Sequence, residues 1–256
     1  MKQDIMTLRE GMKGYTGLEE DRPTDQELEL PQPPLERVRG GDQVIPLPRN
    51  YPDVVRCNDF LTLLERRRSR RVYGDAPLRL EELAFLLWAT QGVKRVSPRP
   101  ATLRTVPSAG ARHPLETYVF AKRVEGLVPG VYHYLAIEHK LELLYPSESL
   151  SEALSEAFCG QTFFGSAPVS LVWTAVPYRS EWRYDNKAQK YALLDAGHVC
   201  QNLYLACEAI GCGACAIGAY HQAPADALLH LPSGPNDSKT DEFVIYAASV
   251  GRVADQ

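Results

Sequence analysis

Five arginines and a serine stand together in Arg66-Arg67-Arg68-Ser69-Arg70-Arg71. Guanidinium forks bind phosphate oxygens bidentately and a hydroxyl adds a further donor, so this run suits a phosphate monoester. About forty residues later, Pro107-Ser108-Ala109-Gly110 forms a turn-rich loop whose backbone N–H groups can approach a flat ligand closely. Two duller readings compete for the arginines. Cations near a helix C-terminus complement its dipole, and a basic hexamer can be a solvated face.

The chain around these residues is acidic overall. With 256 residues and a net charge of -4, it is no general nucleic-acid binder, so the arginines are a local feature fitted to a small anion. Hydrophobic content of 45% and charged content of 23% predict an ordinary soluble domain with a substantial core. No apolar run reaches membrane-spanning length; the stretch from Ala167 to Val176 is interrupted by Ser170 and Thr174. A polar N-terminus without a signal peptide and six irregularly spaced cysteines predict a reducing, cytoplasmic setting.

The elements that must position the arginines and the loop follow from patterning. Seven of the 19 prolines fall between residues 20 and 52, so residues 1–52 read as an extended arm and 53–256 as one domain. Asn58 as N-cap and Phe60, Leu61, Leu63 and Leu64 as an apolar stripe predict a helix running into the arginines. A second helix spans Leu80 to Gln91, with Leu83, Leu86, Leu87 and Trp88 inward and Gly92 ending it. Lys94 to Pro114 reads as a long loop. Strands follow at Glu116–Lys122, Gly130–Leu135 and Leu141–Tyr145, then a short helix at Ser151–Phe158. The apolar, β-branched run from Pro168 to Val176 reads as a central strand, Lys190 to Ile210 as a long helix, and Phe243 to Val253 as a final strand. The irregular alternation of strands and helices makes the class α+β.

Other motifs carry less. Gly211-Cys212-Gly213-Ala214-Cys215-Ala216 fits a loose dinucleotide fingerprint, but it ends a helix and leads to a turn, the wrong context for a Rossmann site. Cys207, Cys212 and Cys215 have the Cys-x4-Cys-x2-Cys spacing of an iron–sulfur site. No cysteine follows Cys215, which leaves a fourth ligand undefined among Cys200, Cys159 and Cys57, so no metal is expected. His198, mid-helix, reads as a hydrogen-bonded core residue. No nucleophile elbow or Walker loop is present.

Read together, the arginine run, the Pro-Ser loop, Leu83–Gly92, Val128–Tyr134 and Ala192–Gly218 resemble the nitroreductase superfamily. Within it, Leu-Leu-Asp-Ala-Gly-His, Gln-Asn-Leu-Tyr-Leu-Ala and Cys-Ala-Ile-Gly resemble the SagB-type dehydrogenases, which include the azoline (thiazole and oxazole) oxidases of peptide natural products. The resemblance extends from about Leu47 to Arg252. It implies an antiparallel sheet flanked by helices, an obligate homodimer, and FMN at each of two shared interfaces. It also implies that Arg67 and Ser69, with Arg68 beside them, hold the phosphate, and that Arg71 faces the N1/O2 edge of the flavin. By the same resemblance Pro107, Ser108, Ala109 and Gly110 come from the partner subunit, Ile217 and Gly218 offer backbone groups near N5, and Arg252 completes the phosphate site. The family's usual Gly-Tyr-Pro ending is Gly251-Arg252-Val253 here, a departure that bears on Arg252.

The azoline oxidases also resemble one another in a Lys-Tyr pair. Counted back from His198, the matching positions are Arg183 and Tyr184, whereas a literal Lys-Tyr stands at Lys190-Tyr191. Arginine is no general base near neutral pH. Tyr184 and Lys190 are therefore the candidate catalytic residues. The expected activity is an FMN-dependent oxidoreductase moving a hydride between a small-molecule or peptide substrate and flavin N5. An NAD(P)H-dependent nitro- or quinone reductase, and a non-catalytic flavin-binding subunit of a biosynthetic complex, are the alternatives.

Overall fold

The computed structural model describes residues 23–41, 43–232 and 239–253. The first 22 residues of the expected arm, and its polar start, lie outside them.

The described elements run β1 (Gln43–Pro46), α1 (Phe60–Arg66), α2 (Leu80–Gln91), β2 (Val93–Ser97), β3 (Ala101–Arg104), β4 (Leu115–Ala121), β5 (Gly130–Leu135) and β6 (Lys140–Pro146). They continue with α3 (Leu150–Ala157), α4 (Thr162–Ser166), β7 (Val169–Ala175), α5 (Tyr178–Tyr184), α6 (Ala188–Ala209), β8 (Cys212–Ile217), α7 (Gln222–Ala227) and β9 (Phe243–Arg252). Seven strands form one sheet in the order β1-β6-β5-β4-β7-β9-β8, each neighbouring pair antiparallel. β2 and β3 make a separate hairpin.

Strands β4 and β7 are buried at every position, as central strands covered on both faces must be. Their side chains alternate between two cores, because successive residues of a strand point to opposite faces. Leu115, Val119, Leu171 and Trp173 pack with Leu83, Leu86 and Leu87 of α2 and Val199, Leu203 and Ala206 of α6. Tyr118, Phe120 and Val172 face Leu154, Phe158 and Phe164 instead. The α+β sheet flanked by helices is thus in place. No helix among the described residues is long and apolar enough to cross a membrane.

Several expectations need correction. The first helix is capped by Asp59, not Asn58: the Asp59 carboxylate accepts the Thr62 N–H at 2.9 Å. Of its apolar stripe only Leu63 is buried; Phe60, Leu61 and Leu64 face outward. The stretch from Lys94 to Pro114 is not all loop, since β2 and β3 pair within it. Lys94 and Arg95 in β2, and Pro98 and Pro100 in the turn between the strands, hide the strand pattern. The Gly211–Ala216 segment leads into edge strand β8, not a turn. His198 is exposed on the outer face of α6, one position before the buried pair Val199-Cys200. The arm contributes β1, whose last residue Pro46 sits at the sheet edge where no donor is needed.

Candidate functional site

The arginine run begins where α1 ends. Arg66 closes the helix and Arg67 turns the backbone to φ -51°, ψ 122°, so the segment peels away and lies along the end of the sheet. Ser69 bridges to Ala214 of β8, and the Arg70 N–H donates to the Ala214 carbonyl at 2.9 Å. Gly213 has to be glycine here, because a Cβ would run into the stem of Arg70. Arg70 itself is engaged by Glu208 at 3.3 Å. Downstream, the Tyr73 hydroxyl donates to the Arg70 carbonyl at 2.6 Å and lies 2.7 Å from Ser249 Oγ.

Tyr204 of α6 organises what remains, a role that sequence reasoning missed. Its hydroxyl lies 3.0 Å from Ser69 Oγ and accepts the Ala216 N–H at 2.8 Å. Its ring sits 5.3 Å from the Arg67 guanidinium. Arg71 stands 5.7 Å from the ring of Phe163. Among the described residues, Arg66, Arg67, Arg68 and Arg71 have no carboxylate partner. Of these four cations, Arg67 stands at Tyr204 beside the Ser69 hydroxyl, Arg71 stands at Phe163, and Arg66 and Arg68 are exposed. β8 ends beside them with Ile217 buried and Gly218 exposed.

Arg252 is committed elsewhere. Its Nη2 donates to both oxygens of Glu82, at 2.9 and 2.8 Å, and its Nε donates to the Pro77 carbonyl. Glu82 is fully buried and also draws in Arg56 and Arg79.

The Pro-Ser-Ala-Gly loop meets α6 at its other end. The Ala109 N–H donates to Asp195 Oδ1 at 3.4 Å, and Ser108 Oγ accepts the His113 N–H at 2.9 Å. Burial, only partly offset by the donors of Ser108 and Ala109, raises the Asp195 pKa. Gly110 adopts φ +56°, and a Cβ there would come within 2.5 Å of the Tyr184 hydroxyl. The loop thus packs directly on Arg183-Tyr184. The Tyr184 ring lies edge-on to Tyr191 at 4.7 Å, with the Arg183 guanidinium 5.6 Å away. Lys190, on the first turn of α6, is half-buried.

Helix α5 carries Tyr184, and the arm holds that helix. The Gln26 N–H donates to the Trp182 carbonyl at 2.8 Å, Trp182 Nε1 donates to the Leu30 carbonyl at 3.0 Å, and Arg179 Nε donates to the Pro34 carbonyl at 2.9 Å. The Tyr178 hydroxyl donates to Asp25 at 2.7 Å.

Asp195 and Tyr204 are nine residues apart on α6, about 13 Å at a helical rise of about 1.5 Å per residue. Within one chain the arginine cluster and the Pro-Ser-Ala-Gly loop are therefore two separate half-sites at two levels of one helix. The thiols of Cys207, Cys212 and Cys215 are buried, which pushes their pKa values up, that of Cys212 to about 12. Among the described residues no group of three or more His, Cys, Asp or Glu side chains is placed to hold a metal ion.

Comparison with known proteins shows the family. Residues 64–252 match the nitroreductase family. Over 186 residues, 72% of this chain and 90% of the relative, the sequence is 34% identical to MJ1384 of Methanocaldococcus jannaschii, a protein named as a nitroreductase. Over 112 residues, 42% of this chain and 30% of the relative, the sequence is 33% identical to the trifolitoxin-processing protein TfxB of Rhizobium leguminosarum. Among solved structures, a nitroreductase from Ralstonia eutropha superposes with a TM-score of 0.66 at 27% identity, covering 89% of this chain and 96% of that one. The chain belongs to the nitroreductase family, and a trifolitoxin-processing protein among its relatives accords with the SagB-type branch that its segments resemble.

Proposed function

We propose that the protein is an FMN-dependent oxidoreductase of the SagB-like kind. The observation that carries this reading is that Arg66, Arg67, Arg68 and Arg71, in the run that passes Tyr204 through Arg67 and Ser69, have no carboxylate partner among the described residues. In the interior, by contrast, the guanidinium of Arg179 meets the carboxylate of Glu116. Arg67, Arg68, Arg71 and Ser69 therefore suit the terminal phosphate of FMN, and one phosphate is what a cluster of this size can hold. When bound, FMN supplies a ring that takes up a hydride at N5 and passes it on. The residues of the chain bind, orient and move the proton. Arg67 and Ser69 anchor the phosphate, with Tyr204 setting the Ser69 hydroxyl. Arg71 offsets negative charge on the reduced ring. Tyr184, placed against Gly110, transfers the accompanying proton, and Lys190 is the second candidate.

Assembly as a homodimer completes the site in this reading, because the partner's Pro107–Gly110 loop would be brought to the arginine cluster, which meets α6 about 13 Å along the helix from where the chain's own loop does. The exposed apolar side chains fit a second copy: Phe60 and Leu61 on α1 are 62% and 63% exposed, and Leu193 and Leu194 on α6 are 59% and 52% exposed. All six cysteines are unpaired, as the cytoplasm would keep them. The relative TfxB processes trifolitoxin by name, which together with the SagB-like segments supports a peptide substrate and azoline oxidation. Reduction by NAD(P)H is the competing use of the same site. The absorbance spectrum of the purified protein tests the reading. Flavin bands that bleach anaerobically with a peptide azoline, but not with NAD(P)H alone, are expected. A colourless protein after reconstitution with FMN refutes it.

A further inference from the structure

Arg112 and Arg183 meet on either side of Gly110, with no counter-charge between them among the described residues. Arg112 is only 7% exposed. Its Nε donates to the Gly110 carbonyl at 3.1 Å, and its guanidinium lies 5.4 Å from the Trp182 ring. Arg183 comes from the end of α5; its Cδ and Nε stand 3.0 Å from where a Gly110 Cβ would be. Burial, and then the like charge of Arg183, lower the Arg112 pKa, so the two cations sense one another. Among the described residues no carboxylate pairs with either and no acceptor holds the terminal nitrogens of Arg112. A poorly solvated cation with a like-charged neighbour is costly until an anion arrives.

Arg112 is also pre-set. Trp182, against which Arg112 lies, is fixed on two sides by the arm, through Leu30 and Gln26. Gly110 fixes Arg112 Nε from below. Little side-chain freedom remains to be lost when a ligand binds, which favours affinity.

We propose that Arg112 and Arg183 form an oxyanion subsite for the molecule that exchanges a hydride at this site. The subsite stands on the two arginines; its use in hydride transfer rests on the oxidoreductase reading above. Beside the Tyr184 hydroxyl, it would hold either a carboxylate of the substrate or a phosphate of a nicotinamide nucleotide. The sequence offered only half of this. Arg183 was singled out as a residue unable to act as a base, and the structure gives its fixed charge a use.

Trp182 reports on the subsite directly. Its fluorescence is followed in the purified full-length protein during titration with inorganic pyrophosphate and, separately, with glutarate, and the response should vanish in Trp182→Phe. At least one anion should bind. Arg183→Gln, an exposed change that leaves the fold alone, should weaken it about tenfold or more, as loss of a charge-assisted bond does. Arg112→Gln should weaken it at least as much, and Arg95→Gln on the hairpin should not weaken it. Tighter pyrophosphate binding points to a nucleotide phosphate, and tighter glutarate binding to a substrate carboxylate. The proposal is overturned if neither anion changes the signal, or if Arg183→Gln binds as tightly as the wild type. The titration needs no flavin, so it stands or falls apart from the cofactor reading.

Discussion

Arg179 in the interior and Arg67 at the rim carry the same guanidinium in opposite circumstances. Arg179 pairs with Glu116, which also accepts the Arg37 N–H at 2.8 Å and meets His133 at 3.0 Å. Nearby, Glu242 draws in Arg37 and Arg39 at 3.2 and 3.4 Å and accepts the hydroxyls of Tyr118 and Thr174 at 2.6 and 2.7 Å. In the rim cluster, Arg67 and Arg71 lie over aromatic rings and have no carboxylate among the described residues. The interior arrangement is satisfied by the chain itself and so serves the fold. The rim arrangement is left with charge to spare, which is what a binding site for an anion requires.

Breaking the interior should cost the most. Glu116→Gln leaves Arg179 buried without its partner, and loss of one member of a buried pair costs about 3–5 kcal/mol. Urea unfolding should show this loss. A change below about 1 kcal/mol would mean that the interior pair is no more structural than the rim.

At the loop half-site the expected effect is on rate. Tyr184→Phe should lower turnover about a hundredfold, within the range for a lost proton-transfer group, while FMN remains bound. Lys190→Ala should have a smaller effect. If stopped-flow reduction of the flavin in Tyr184→Phe runs at the wild-type rate, Tyr184 only packs against Gly110.

The rim should respond in binding and hardly at all in stability. Arg67→Ala should weaken flavin retention at least about tenfold, the value of a charge-assisted hydrogen bond, with a smaller effect for Ser69→Ala. Its unfolding free energy should stay within about 0.5 kcal/mol of wild type, as for other surface changes. Equilibrium dialysis and urea melts on the same variant separate the two regions. Full flavin retention in both variants would place the phosphate elsewhere.

The smallest effect is a pH dependence confined to the interior. Burial alone would raise the Glu116 pKa, but Arg179 and His133 outweigh it and hold the carboxyl well below the usual range. Such a group binds fewer protons folded than unfolded, so its stabilisation is present above the unfolded pKa of about 4.3 and is lost as pH falls below it. His113 adds an earlier loss: burial first, then Arg104, lowers its pKa to about 3, so stability declines as pH falls from about 6.5 toward that value. His133 and Asp195, whose pKa values are raised, contribute with the opposite sign, so the check is the difference between two proteins: the fall in urea midpoint below about pH 4.5 should be shallower in Glu116→Gln than in the wild type.

Much of the frame was readable before any coordinates. The apolar run 168–176 and the periodic stretches 80–91 and 190–210 became β7, α2 and α6 within a residue or two, because burial on a sheet or a helix face demands those patterns. Strand β8 was not readable: Gly213 and Ala214 have poor strand propensity, and only pairing with β9 and the passage of Arg70 give them their form. α5 mixes aromatic and charged residues without a clean period, since it packs against the arm on one side and the loop on the other. At the site, the arginine run announced itself through residue type alone. Tyr204 did not, because it lies 135 positions from the Ser69 that it holds. The partnership of Asp195 with the loop was hidden for the same reason, spanning 86 positions.

The central claim is that the unpaired arginines at the rim hold the phosphate of FMN in a site shared by two copies of the chain. Its most direct test is chromatography of the flavin released by heat from the purified protein, read together with the mass by sedimentation of the loaded form. The account predicts FMN, about one per chain, on a dimer. A predominance of FAD, no flavin after reconstitution, or a monomer holding stoichiometric FMN would contradict it.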